Sequence, residues 1–126
     1  MQQLPPAEDI LSEVIDGLRA SIIVAQQHDV APDSIAVDPG IGFGKTAEQN
    51  WVVMRRLAQL KELGLPILVG TSRKSFIGKL LDVPISERVE GTAATVTAAV
   101  LRGADVVRVH DVAAMTRVVR VADHMR

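Results

Sequence analysis

The chain has 126 residues, 48% of them hydrophobic and 23% charged, a composition that supports one folded domain and excludes a disordered chain. Its formal charge of -1, with both signs mixed along the sequence, leaves no basic face for nucleic acid, so any anion must be held by a few placed residues. With no cysteine there is neither a disulfide framework nor a thiolate metal site, which suits a reducing compartment.

Met1 to Pro6 lacks the basic and then apolar layout of a secretion signal, and no apolar run reaches the roughly 18 residues that span a bilayer; a cytoplasmic location is expected. From Pro6 to Gln27, Leu11, Val14, Ile15, Leu18, Ile22 and Ala25 recur every three or four positions, which predicts a one-sided helix, with Pro5-Pro6 suited to its first turn. Ile35-Ala36-Val37 reads as a buried strand that stops at Asp38-Pro39-Gly40. Thr46 and Gln49 have the spacing of a capping box. Trp51, Met54, Leu57 and Leu60 then repeat at helical spacing until Gly64 and Pro66.

Ile67-Leu68-Val69 is apolar on consecutive positions, as in a parallel strand covered on both faces, and the polar run Thr71 to Ser75 follows it. A short helix is predicted over Phe76 to Leu81, and a longer one from Ser86 through Val89, Ala93, Val96 and Val100 to Gly103. A third strand is predicted over Ala104 to Val109, with Asp111 capping a last helix through Met115, Val118, Val119 and Ala122. Alternating helices and strands predict an α/β fold with right-handed crossovers onto a parallel sheet. Ligand sites in such folds lie at the C-terminal strand ends, where this chain puts its polar clusters.

Three clusters carry the chemistry. In Asp38-Pro39-Gly40-Ile41-Gly42-Phe43-Gly44-Lys45-Thr46, alternating glycines let the backbone turn tightly and approach a ligand closely. Gly44-Lys45-Thr46 has the tail of a phosphate-binding loop, but Pro39 stands where that motif needs a glycine. Asp38 is placed to accept two hydrogen bonds from the N–H edge of a heterocycle, or else caps a turn. Thr71-Ser72-Arg73-Lys74-Ser75 sets cations and hydroxyls ahead of a helix N-terminus, a favourable place for an anion, although a solvated loop has the same composition. Arg108 and His110 alternate with Val107 and Val109 and so share a side of the strand. Buried there, they form either an anion pocket or an ion pair with Asp105 or Asp111. His28 and His124 fall near helix ends as surface residues, and no cluster has the ligand spacing of a protein-built metal site.

Asp38 to Lys45, Gly70-Thr71-Ser72-Arg73-Lys74-Ser75 and Arg108-Val109-His110-Asp111 together resemble, in order and spacing, the three C-terminal signatures of the dihydropteroate synthase family. The resemblance implies the last three strands, with flanking helices, of a TIM (β/α)8 barrel, so that residues 1–126 form an incomplete domain. A whole barrel takes about 250 residues. In the family's frame Met1-Gln2 falls just past the fifth strand, as an internal methionine read as a start or a shortened gene would give. The implied reaction joins 6-hydroxymethyl-7,8-dihydropterin diphosphate to 4-aminobenzoate, giving 7,8-dihydropteroate for folate biosynthesis.

By that resemblance Asp38 holds the pterin's amino-pyrimidinone edge. Lys74 contacts the pterin ring and flanks the aminobenzoate, Phe43 and Ser75 line the aminobenzoate side, and Arg108 and His110 bind the diphosphate. Gly42 and Gly70 complete the substrate-binding set, and Lys74, Arg108 and His110 are the implied catalytic residues. Mg²⁺ would accompany the diphosphate without a site in this chain, and the full-length enzyme would be a homodimer. Missing from the chain are the first five strands, with further pterin-binding groups, an anion- and metal-contacting Asn and mobile loops. Three strands alone would leave open edges and an uncovered apolar face, so self-association or incomplete folding is expected of the isolated chain, and little activity. Other readings are the pterin-binding barrel of methyltetrahydrofolate methyltransferases, a non-catalytic pterin-binding fragment, and a phosphate-loop ATP-binding domain. A methyl transfer releases no diphosphate for Arg108 and His110 to hold.

Overall fold

The computed structural model describes residues 6–126; the readings of Met1 to Pro5 lie outside them. Helix α1 runs Pro6–Gln27, α2 Ala47–Arg55, α3 Ser75–Leu81, α4 Val89–Leu101 and α5 Val112–Asp123, with strands β1 Leu68–Val69 and β2 Val106–Val107 between them. The order is that of an α/β chain. Among the described residues no helix is long and apolar enough to cross a membrane.

Local chemistry accounts for the helix ends. Thr46 accepts the Gln49 amide while the Gln49 side chain accepts the Thr46 amide, closing the capping box at the start of α2. After α2 the apolar repeat tightens into a 3-10 turn, Leu57–Leu63, and Gly64 ends it at φ 73°, in the left-handed region.

The strands are shorter than expected. β1 and β2 pair in parallel, Leu68 with Val106 and Val69 with Val107. The predicted first strand contracts to a single parallel bridge between Val37 and Ile67, held by the Val37 amide on the Pro66 carbonyl and the Leu68 amide on the Val37 carbonyl, both at 2.8 Å. Asp38-Pro39-Gly40 follows at once, and a proline has no amide with which to extend a ladder.

Register divides the sheet into two unlike faces. Val37, Ile67 and Val69 are buried on one side, beneath a core that includes Ile41, Val53, Leu57, Leu60 and Phe76. Trp51 meets Phe76 edge to face there, with ring centroids 4.5 Å apart. On the other side Ala36 is exposed, Leu68 half-buried and Val106 47% exposed. Coverage of the strands on both faces is therefore not observed, since the described helices pack the sheet from one side. Continuing the alternation past the strand ends puts Asp38, Gly70 and Arg108 on the open side.

Candidate functional site

The loop after Val37 is built around Ile41. Its side chain is fully buried, a burial that contributes about 1.5–3 kcal/mol, while its carbonyl faces the site and accepts the Lys74 ammonium. Gly42 sits at φ 87°, and a Cβ there would lie 2.9 Å from Lys74 Cδ, so only glycine lets the lysine stem pass. The Gly42 amide donates to Asn50 Oδ1 at 2.8 Å, and Asn50 Nδ2 donates to the Thr46 carbonyl at 3.1 Å. Asn50 is buried on α2, so the helix holds the loop at both ends. Asp38 accepts the Gly40 amide at 2.8 Å, a turn that engages one carboxylate oxygen.

Lys45 folds back onto its own loop, donating to the carbonyls of Gly40 at 2.7 Å and Phe43 at 3.2 Å. Burial pushes its pKa down, against the attraction of Asp38. An ammonium engaged in this way acts as a staple of the loop, a further departure from a phosphate-binding lysine. Lys74 is likewise shifted down, by burial first and then by the positive charge of Arg108, with Asp38 opposing. Its Nζ lies 4.9 Å from the centroid of the exposed Phe43 ring, within cation–π range.

After β1 the chain turns sharply at Arg73, which takes φ 59° although it is not glycine; that conformation costs roughly 1–2 kcal/mol. The turn sends Ser72 and Lys74 in different directions. Ser72 Oγ lies 2.8 Å from His110 Nδ1 and accepts the His110 amide at 3.1 Å. Arg73 forms a two-point ion pair with Asp111, at 2.8 and 3.3 Å. The pairing holds the Asp111 carboxyl below its usual range and the Arg73 guanidinium above its own. Asp111 precedes α5 in the N-cap position but makes no side-chain cap bond, so the predicted capping role gives way to the ion pair.

Arg108 and His110 are both exposed on the open side, which corrects the expectation that they are buried, because no described element covers that face. The ion pair weighed for Arg108 is absent among the described residues. Asp111 takes Arg73, and Asp105 accepts the Ile67 amide at 2.9 Å at the opposite end of the strand. The Arg108 guanidinium instead lies against Gly70, where a Cβ would meet its Nη2 at 3.2 Å and its Nε at 3.3 Å. Its charge thus has no carboxylate partner among the described residues.

The structure accordingly gathers Asp38, Gly42, Phe43, Gly70, Lys74, Arg108 and His110 at the strand ends, with Ser75 exposed at the start of α3. His28 and His124 stand apart, exposed near the ends of α1 and α5. Asn50 carries much of the geometry without having been singled out, and Lys45, weighed from the sequence as the lysine of a phosphate-binding loop, ties down its own loop instead. Asn50 had a signal, a polar residue among the apolar positions of α2, but its acceptor role depends on where the glycine loop lies. Chemically, the site offers one carboxylate, two cations, an imidazole and an aromatic face on a single open surface.

Known proteins resemble this chain over nearly its whole length. The sequence matches the family described as pterin binding enzyme over residues 1–110. It is 52% identical over 124 residues to the dihydropteroate synthase of Synechocystis, covering 98% of this chain and 43% of that protein. The crystal structure of the Clostridium difficile dihydropteroate synthase, solved in the presence of pteroic acid, superposes with a TM-score of 0.91 at 45% identity, covering 99% of this chain and 48% of that one. That from Coxiella burnetii, in complex with pteroic acid, gives 0.93 at 33% identity, over 96% of this chain and 45% of that one. The chain spans less than half the length of these relatives. With a profile match over most of its residues and the same fold as these enzymes, the chain belongs to the pterin binding enzyme family.

Proposed function

We propose that residues 1–126 form the C-terminal part of the (β/α)8 barrel of a cytoplasmic, homodimeric dihydropteroate synthase. The reaction is the attack of the 4-aminobenzoate nitrogen on the methylene of 6-hydroxymethyl-7,8-dihydropterin diphosphate, with diphosphate leaving. The observation that carries this reading is the open sheet face. It sets Asp38, Lys74 and Arg108 around one surface, with the cations of Lys74 and Arg108 near enough to influence each other.

In this reading the free oxygen of Asp38 accepts from the N–H edge of the pterin, and Lys74 lies between the pterin and the Phe43 side where aminobenzoate docks, beside Ser75. Gly42 admits the Lys74 stem and Gly70 admits the Arg108 guanidinium. Arg108 and His110 receive the diphosphate. Its negative charge grows as the C–O bond breaks, so fixed donors aimed at it lower the barrier. Mg²⁺ accompanying the diphosphate would neutralise the same charge. The uncovered faces of Ala36, Leu68 and Val106 are where the remaining strands of the barrel would pack.

The test is a titration with the pterin diphosphate and 4-aminobenzoate, with and without a separately produced first half of the barrel. Dihydropteroate formed only by the two halves together is the expected result. Binding of ATP without binding of pterin would overturn it. Lys74→Ala should weaken binding of pterin with or without its diphosphate, whereas Arg108→Ala should narrow the affinity difference between the two ligands by about tenfold or more.

A further inference from the structure

The turn at Arg73 decides where Lys74 and His110 stand, and its own sequence does not favour it. Non-glycine residues avoid the left-handed region, so neighbouring groups must hold it there. Those groups come from one face of α4. Thr92, fully buried, accepts the Arg73 amide on its Oγ1 at 3.1 Å. Arg88, preceding the helix, donates from Nη1 to the Arg73 carbonyl at 2.9 Å and from Nη2 to the Val83 carbonyl at 3.4 Å. Thr95 Oγ1 lies 2.8 Å from Thr71 Oγ1. The spacing 88, 92, 95 is that of one helix face, so a polar stripe on α4 grips the amide and the carbonyl of the same residue, on the two peptide units that flank it, and the residue two before it.

The packing is shaped around this grip. A Cβ on Gly78 would come within 2.4 Å of Arg88 Cζ, and one on Gly91 within 2.2 Å of Ile77 Cγ2, so Gly78 lets the Arg88 guanidinium close on α3 and Gly91 lets α4 do the same. Arg88 Nε is buried without a partner. Buried donors are nearly always paired, so the guanidinium keeps its place at a cost that its other two bonds must offset.

We propose that the Arg88, Thr92 and Thr95 face of α4 is a positioning element, which locks Arg73 in the left-handed conformation and thereby sets Lys74 toward Ile41 and Phe43 and Ser72 toward His110. None of the three is assigned contact with substrate. They act through the turn, and their effect on turnover rests on the functional reading above, whereas their effect on geometry does not.

The experiment is amide hydrogen exchange on the full 126-residue chain, comparing Thr92→Val, which keeps the shape and removes the acceptor, with Thr92→Ser, which restores it. The reporter is the His110 amide, bonded to Ser72 and not to Thr92. Thr92→Val should speed its exchange by about tenfold, the loss of one net hydrogen bond, leave Val96 and Ala99 within α4 unchanged, and be reversed by Thr92→Ser. An unchanged His110 amide, or exchange that rises equally along α4, would overturn the proposal. The same variants in the two-half assembly should raise the KM for the pterin substrate more than they lower kcat, with Thr92→Ser rescuing. No turnover even with the native chain would count against the functional reading alone, and the exchange result would stand.

Discussion

The two loops that meet at Lys74 reach their shapes by different means. The loop from Asp38 to Thr46 relies on composition: Gly40, Gly42 and Gly44 all take positive φ, and, Lys74 on the Ile41 carbonyl apart, the bonds that tighten it come from residues within the loop or on the helix it enters. The loop from Thr71 to Ser75 contains no glycine, and turns at an arginine held by α4 and by the residues after β2. A loop of the first kind can be read from its sequence and fails when a side chain is added. One of the second kind is set by the fold and fails when a distant partner is lost.

The sharpest way to break that contrast is Gly42→Ala. A Cβ at φ 87° strains the backbone and meets the Lys74 stem, so a loss of roughly 2 kcal/mol in urea unfolding is expected, with weakened pterin binding. Asn50→Ala should cost about 1–2 kcal/mol by leaving the Gly42 amide without its acceptor. If it cost as much as Gly42→Ala, the first loop would depend on its helix as heavily as the second does.

Two smaller effects depend on pH. Lys45 and Lys74 have pKa values below the usual lysine value, so the unfolded chain binds more protons in the window between. Stability should therefore rise with pH on the approach to the ordinary lysine value of 10.5, with part of that slope lost in Lys74→Met. Asp111 has its carboxyl held low by Arg73. Its contribution is present above the ordinary carboxylate range and fades as pH falls through the lowered value. Below about pH 4 the unfolding midpoint of Asp111→Asn should therefore depend less on acid than that of the native chain, the smallest change of the four.

The same contrast decides how much was legible. Element order, the capping box at Thr46 and the helix stop at Gly64 follow from spacing and local chemistry, which sequence carries directly. The gathering of Asp38, Lys74 and Arg108 follows from the rule that parallel strands put their C-terminal ends together. Burial of Arg108 was misjudged because apolar strands look alike whether one face is covered or both. Asp111 was read as a cap because that role is local, whereas its actual partner, Arg73, is 38 residues away. Thr92 and Arg88 gave no signal, since a threonine inside a helix and an arginine before one are ordinary until the turn they hold is seen.

The contact between Ser72 and His110 has one more effect, on the freedom of the imidazole. Ser72 is buried, its hydroxyl oxygen accepts the His110 amide, and the same hydroxyl lies 2.8 Å from Nδ1. One side chain thus ties down both the backbone and the ring of His110, so the ring is oriented in advance and Nε2 is the nitrogen left to meet a ligand.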